Sequence, residues 1–171
     1  SLVRALKRSR PETQVTGVDR DSVIAGLAEE EVFSRLLAAE RLEEACLEAE
    51  LIILATPIQA ALDLLPQLSD FAKPQTIVTD VCSLKSEITN TAERLFSQDS
   101  ACFIGGHPMA GKESDGFASG DPFLFENAVY VLTPTKGAKD EQIQRLGFLL
   151  ELLGAKCVQM TPEDHDTIAA A

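Results

Sequence analysis

An α/β fold with a doubly wound, mainly parallel sheet is what this sequence predicts, on three observations. Short β-rich runs alternate with longer stretches of helical periodicity. The run Leu51-Ile52-Ile53-Leu54-Ala55 is apolar on both faces, as a strand covered from two sides must be. Helix start and stop residues stand between the runs. Taken in order, Ser1-Leu2-Val3-Arg4-Ala5-Leu6-Lys7-Arg8 reads as an amphipathic helix, and Gln14 to Asp19 as a strand ending in an acid. After the strand at 51–55, Thr56-Pro57 supplies a capping hydroxyl and a proline at the first helical position. Ile58, Leu62 and Leu65 then follow at helical spacing, with a kink or stop expected at Pro66. Ile77-Val78-Thr79-Asp80-Val81 repeats the buried-strand character. Ser83 is placed to cap a helix whose apolar face is Leu84, Ile88, Ala92 and Leu95. Three more strands are expected at 102–104, 128–132 and 156–160, making six. Between the last two, Ile143, Leu146, Leu150 and Leu153 form a helical stripe closed by Gly154. Residues 111–127, with Gly111, Gly116, Gly120 and Pro122, make the longest loop-like region.

Composition narrows the function classes. The 171 residues, 45% hydrophobic and 25% charged, suffice for one domain spanning 1–171 with a continuous core. Fifteen basic against 27 acidic residues give a net charge of -12, which opposes broad attraction to nucleic acid or anionic lipid. No apolar stretch approaches the roughly 20 residues that span a bilayer, and the first residues do not read as a secretion signal, so a cytoplasmic location is expected. Cys46, Cys82, Cys102 and Cys157 are far apart and form no C-x-x-C pair, so they read as small buried apolar residues.

In an open parallel sheet ligands bind beyond the carboxyl ends of the strands. Asp19-Arg20, Thr56-Pro57, Asp80 to Lys85, and His107 to Glu113 all follow predicted strands, and the topology brings these four segments to one edge. His107 is the most informative of them. It stands in Gly105-Gly106-His107-Pro108-Met109-Ala110-Gly111, a run that reads as a glycine-rich loop letting the backbone approach a bound molecule, with an imidazole suited to acid–base work. Each segment also has a plain reading: a turn for Asp19-Arg20, helix caps for Thr56 and Ser83, a solvated first-turn charge for Lys85. Their coincidence favours a site. The two histidines are too far apart in sequence to form a metal-ligand pair, and no metal is expected.

Four segments, Leu54-Ala55-Thr56-Pro57, Val78-Thr79-Asp80-Val81-Cys82-Ser83-Leu84-Lys85, Gly105 to Gly111, and Pro162-Glu163-Asp164-His165-Asp166, resemble in that order the prephenate and arogenate dehydrogenases of tyrosine biosynthesis. The resemblance implies a Rossmann-like dinucleotide-binding domain and an oxidoreductase acting on prephenate or arogenate. It implies His107 as the group that accepts the substrate hydroxyl proton, with Ser83 beside it as a second catalytic residue. Asp19, Arg20, Thr56, Pro57, Asp80 and Val81 would bind the cofactor, and Ser83, His107, Gly111, Lys112, Glu113 and His165 the substrate. Lys112 stands where many members have threonine, either pairing with a substrate carboxylate or exposed on a loop. Asp19 at a strand end favours NAD, while Arg20 leaves NADP open.

By the same resemblance the sequence begins just past the first strand and the G-x-G-x-x-G phosphate loop. It ends before the C-terminal helical domain that contributes to dimerisation and supplies a substrate-binding arginine. The expectation is an incomplete domain that binds cofactor poorly alone, from a protein working as a homodimer. Two other readings stand beside this one: a nicotinamide-dependent dehydrogenase of the β-hydroxyacid type, and a noncatalytic nucleotide-binding domain.

Overall fold

The computed structural model describes residues 1–97, 99–110 and 117–170. The chain opens with α1 (Leu2–Ser9), β1 (Thr16–Asp19), α2 (Asp21–Leu27), β2 (Arg35–Ala38) and α3 (Leu42–Glu48). It continues through β3 (Leu51–Leu54), α4 (Ile58–Phe71), β4 (Ile77–Asp80), α5 (Ser86–Leu95) and β5 (Cys102–Pro108). The last elements are β6 (Val129–Pro134), α6 (Asp140–Leu152), β7 (Lys156–Gln159) and α7 (Pro162–Ala169). Five strands form one sheet in the order β3-β4-β5-β6-β7, and β1-β2 form a separate parallel pair. All neighbouring pairs are parallel except β5 with β6. The α/β class and mainly parallel sheet are those the sequence predicts.

Alternation along the central strands feeds two cores, one on each face of the sheet. Val78 and Phe103 point to a core with Ala61, Leu65 and Leu68 of α4 and Ile88 and Ala92 of α5. Ile77, Cys102 and Ile104 point the other way, to Ala5 and Leu6 of α1 and Leu146 and Leu150 of α6. Residues one apart on a strand face opposite sides, so a strand buried on both must be apolar throughout. The amphipathic reading of the first helix is met by Ala5 and Leu6, its buried residues. Three of the four cysteines are buried and Cys157 is half-buried, all as free thiols. Among the described residues no helix is long and apolar enough to cross a membrane.

Four expectations are corrected. A seventh strand, β2, went unread, because its four residues Arg35-Leu-Leu-Ala carry one fully buried side chain, Leu37. The helix expected to break at Pro66 runs on to Phe71: Ala61, Leu65 and Leu68 are fully buried on its core side, and Pro66 is exposed, where water can take the bond its missing N–H forgoes. Neither expected cap forms. Pro57 and Lys85 hold the N-cap positions of α4 and α5 without side-chain capping bonds, and Leu84, outside α5, is 51% exposed.

The fourth correction bears on the site. Gly105, Gly106 and His107 belong to β5 rather than to a loop, paired with Thr133, Leu132 and Val131 of β6. The glycines serve close packing. A Cβ on Gly106 would lie 2.6 Å from the Asp80 carbonyl oxygen and 3.0 Å from both Thr79 Oγ1 and Tyr130 Cε1, and one on Gly105 would collide with Thr133 Oγ1 and Thr89 Oγ1. Only residues without a side chain let the Thr89 and Thr133 hydroxyls meet across β5, 3.1 Å apart. Gly147, inside α6, has nothing within 4 Å of its virtual Cβ. Gly106→Ala is therefore expected to destabilise by about 1–3 kcal/mol through overpacking. Gly147→Ala should stabilise by about 0.5–1 kcal/mol through helix propensity. Opposite shifts in the urea midpoint check the pair.

Candidate active site

The carboxyl ends of β4 and β5 lie side by side, and a fully buried ion pair joins them. Asp80, the last residue of β4, and Lys85, at the start of α5, both have 0% exposure. Lys85 Nζ donates to Asp80 Oδ2 and, at 2.8 Å, to the Gly106 carbonyl. Asp80 Oδ1 accepts from the Gly106 N–H at 3.0 Å, and Oδ2 from the Cys82 N–H at 2.9 Å. Both polar groups of Gly106 are thus held by one ion pair, and the next residue is His107. Burial pulls the Lys85 ammonium below its ordinary value, and the Asp80 carboxylate opposes that pull. Two oxygen acceptors around Nζ fit the charged form. Burial, then the charge of Asp80, pushes the Cys82 thiol up to about 11, so no thiolate nucleophile stands here.

A second carboxylate closes the cluster from α7. Thr161 caps this helix by accepting from the Asp164 N–H at 3.1 Å, with Pro162 in its first turn. Asp166 is thereby presented to the start of α5, where Oδ1 accepts from the Lys85 N–H and Oδ2 from the Ser86 N–H, each at 2.8 Å. The cap assigned to Ser83 from sequence is supplied by Asp166, 80 positions beyond Ser86. Asp166 Oδ1 also lies 2.7 Å from His165 Nδ1, and His165 Nε2 lies 2.8 Å from His107 Nδ1. Burial alone would raise the Asp166 carboxyl, but bonds from Ser86, Lys85 and His165 outweigh it and hold it well below the usual range. His107, half-buried, is pulled below 6.5 first by burial and then by His165 and Lys85, against Asp80 and Asp166.

The structure brings some of the sequence-predicted residues together and not others. Asp80, expected at the cofactor, has both carboxylate oxygens taken by protein donors. His165, expected at the substrate, is 2% exposed with one ring nitrogen against His107 and the other against Asp166. Ser83 is exposed in the bend between Asp80 and Lys85, and Val81 is half-buried, its N–H bonded to the Leu54 carbonyl at 3.2 Å. At the end of β3, Pro57 is exposed and Thr56 Oγ1 is buried without a hydrogen-bond partner among the described residues. At the end of β1, Asp19 accepts from the Arg20 N–H at 2.7 Å, and the exposed Arg20 guanidinium stands 3.9 Å from its carboxylate. Gly111, Lys112 and Glu113 lie outside the described residues. Sequence reasoning held Lys85 between a strand-end site residue and a solvated charge, and gave Asp166 no role; the available signal for the latter was the acid directly after His165.

Two consequences are measurable. Lys85→Met leaves a buried carboxylate without its cation and should cost about 3–5 kcal/mol in denaturant unfolding. Asp166 has a depressed folded-state pKa, so its stabilisation is present above the unfolded carboxylate value of about 3.9 and is lost as pH falls through the folded one. Asp166→Asn should therefore be destabilised at neutral pH by about 1.5–3 kcal/mol. The gap to the parent should close as unfolding is followed below about pH 4.

The nucleotide-binding domain family of prephenate dehydrogenase matches residues 2–159 of this chain. The chain is 39% identical to a prephenate dehydrogenase of Lactococcus lactis, over 98% of this chain and 45% of that protein. It is 32% identical to the prephenate dehydrogenase of Bacillus subtilis, over 99% of this chain and 46% of that one, so it spans about half the length of the curated relatives it matches. Among solved structures, Synechocystis arogenate dehydrogenase superposes with a TM-score of 0.87 at 38% identity, covering 99% of this chain and 58% of the other. Every strand, the Asp80–Lys85 pair and His107 fall within the matched residues, and the chain belongs to the prephenate dehydrogenase family through its nucleotide-binding domain.

Proposed function

We propose that the protein carrying this domain catalyses the oxidative decarboxylation of prephenate or arogenate, with NAD as the hydride acceptor. One observation carries the reading: at the carboxyl end of β5 a half-buried imidazole, His107, is tied through Nδ1 to a buried histidine and carboxylate. That tie directs its other nitrogen, Nε2, to external chemistry. The names of the similar proteins, prephenate dehydrogenase and arogenate dehydrogenase, support the substrate class.

The residues present fit a dinucleotide along the strand ends. The Asp19 carboxylate suits a ribose hydroxyl, and Thr56 Oγ1, buried and unpartnered among the described residues, awaits a polar group there. Arg20 is the residue that would favour a 2′-phosphate, the basis for testing NADP in parallel. A bound nicotinamide supplies the acceptor for the hydride that leaves the substrate's carbinol carbon. His107 Nε2 accepts the hydroxyl proton as the carbonyl develops there. Loss of the ring carboxylate as carbon dioxide sends its bonding electrons into the ring, and the proton on His107 returns to the resulting phenolate oxygen. Proton acceptance of this kind is worth about 10²–10⁴-fold. Ser83, exposed beside the ion pair, orients the substrate hydroxyl, and Gly111, Lys112 and Glu113 contribute to the substrate site, with the lysine set against a carboxylate. The reading extends to a homodimer working in the cytoplasm.

The test is reduction of NAD and of NADP, followed by absorbance, with prephenate and with arogenate, in the gene product that contains this sequence. Turnover with either substrate supports the reading, and its absence with both sinks it. His107→Asn is expected to lower kcat by about 10²–10⁴-fold with NAD affinity unchanged; an equal loss of NAD binding would remove His107 from the chemistry. Because its pKa is held below 6.5, the acid limb of kcat/KM should lie below that pH.

A further inference from the structure

We propose that His165 and Asp166 are positioning residues that fix His107 as its Nδ1–H tautomer, leaving Nε2 bare as the proton acceptor. The inference deepens the function proposed above and rests on His107 being its base. It follows from counting donors and acceptors along the chain of contacts. An ionised carboxylate can only accept, and both Asp166 oxygens already receive backbone N–H groups, from Lys85 and from Ser86 at 2.8 Å each. His165 Nδ1, 2.7 Å from Asp166 Oδ1, must therefore carry the hydrogen. In a neutral His165 that leaves Nε2 as a lone pair, and His107 Nδ1, 2.8 Å away, must donate to it. A neutral imidazole has one N–H, so His107 Nε2 has none.

The fold leaves this chain of contacts little freedom. Asp166 is locked onto the first turn of α5, His165 is 2% exposed, and the two rings meet edge to face with centroids 5.1 Å apart. The residue before His107 is gripped at both its N–H and its carbonyl by Asp80 and Lys85. When Nε2 takes a proton, the imidazolium that forms is bonded to His165, whose far nitrogen already faces a carboxylate. The Asp166 charge thus offsets a positive charge gathered close to the Lys85 ammonium. Among the described residues, the charged and titratable groups that act on His107 are Asp80 on β4, Lys85 at the start of α5, and His165 and Asp166 on α7.

The chain has two histidines, so its imidazole spectrum holds two ring systems, and the loss of one of them in His107→Asn assigns both. Two-bond proton–nitrogen correlation spectra of the unliganded chain, at a pH well above the ordinary imidazole value of about 6.5, report which nitrogen carries hydrogen on each ring. The expected result is Nδ1–H on both. An Nε2–H form of His107, or a His165 that stays doubly protonated at that pH, overturns the proposal. His165→Phe keeps an aromatic ring in the buried space and removes the acceptor; His107 should then pass to the Nε2–H form, and a His107 that keeps its Nδ1–H in this variant removes His165 as the cause. The parent spectrum decides the tautomer even if the variant does not fold. These readouts need no turnover. A correct tautomer with an inactive enzyme fails the function alone, and an active enzyme with the wrong tautomer fails the positioning alone.

Discussion

The Asp80–Lys85 ion pair, wholly removed from water, is the contact on which the rest of the cluster depends. Two isolated charges at such depth would cost several kcal/mol each, and the geometry repays that cost through their mutual attraction and further hydrogen bonds. Each partner does a second job. The lysine reaches the Gly106 carbonyl while the aspartate receives the Gly106 and Cys82 N–H groups, so β4, the turn after it and β5 become one unit. The peptide before His107 is thereby pinned from both sides.

The glycines are the condition for that pinning. Gly106 leaves space for the Asp80 backbone and the Tyr130 ring, and Gly105 lets threonines of α5 and β6 bond across the strand. A core of native density has no room for two added methyl groups at such contacts. Glycine, usually a weak strand former, is here the residue that lets a strand carry a histidine close to a buried charge.

Much of the fold was legible because it rests on local pattern. The two-sided apolar strands at β3 and β4, the amphipathic α1 and the α6 stripe closed by Gly154 are written in periodicity, and each is found where the pattern put it. Gly154 indeed takes a positive φ of 93°. β2 was not legible, since four residues with one buried leucine carry too little pattern, and pairing with β1 decides the matter. Pro66 misled for the opposite reason: a strong local breaker is overridden by the burial of its neighbours on α4.

The site divides along the same line. Residue types and strand-end positions, read in sequence, singled out His107 and the Asp80-to-Lys85 segment, because chemistry-bearing side chains at strand ends are a property of order along the chain. Which of them are buried against each other was decided by the tertiary structure alone. That Lys85 is buried where β4 and β5 close over it, that both Asp80 carboxylate oxygens are filled from within the protein, and that α7 buries His165 against His107 are facts of packing that order along the chain does not carry. The cap of α5 comes from Asp166, on an element at the far end of the sequence. Hydrogen bonds satisfy whichever donor lies nearest in space, and sequence distance has no bearing on that choice.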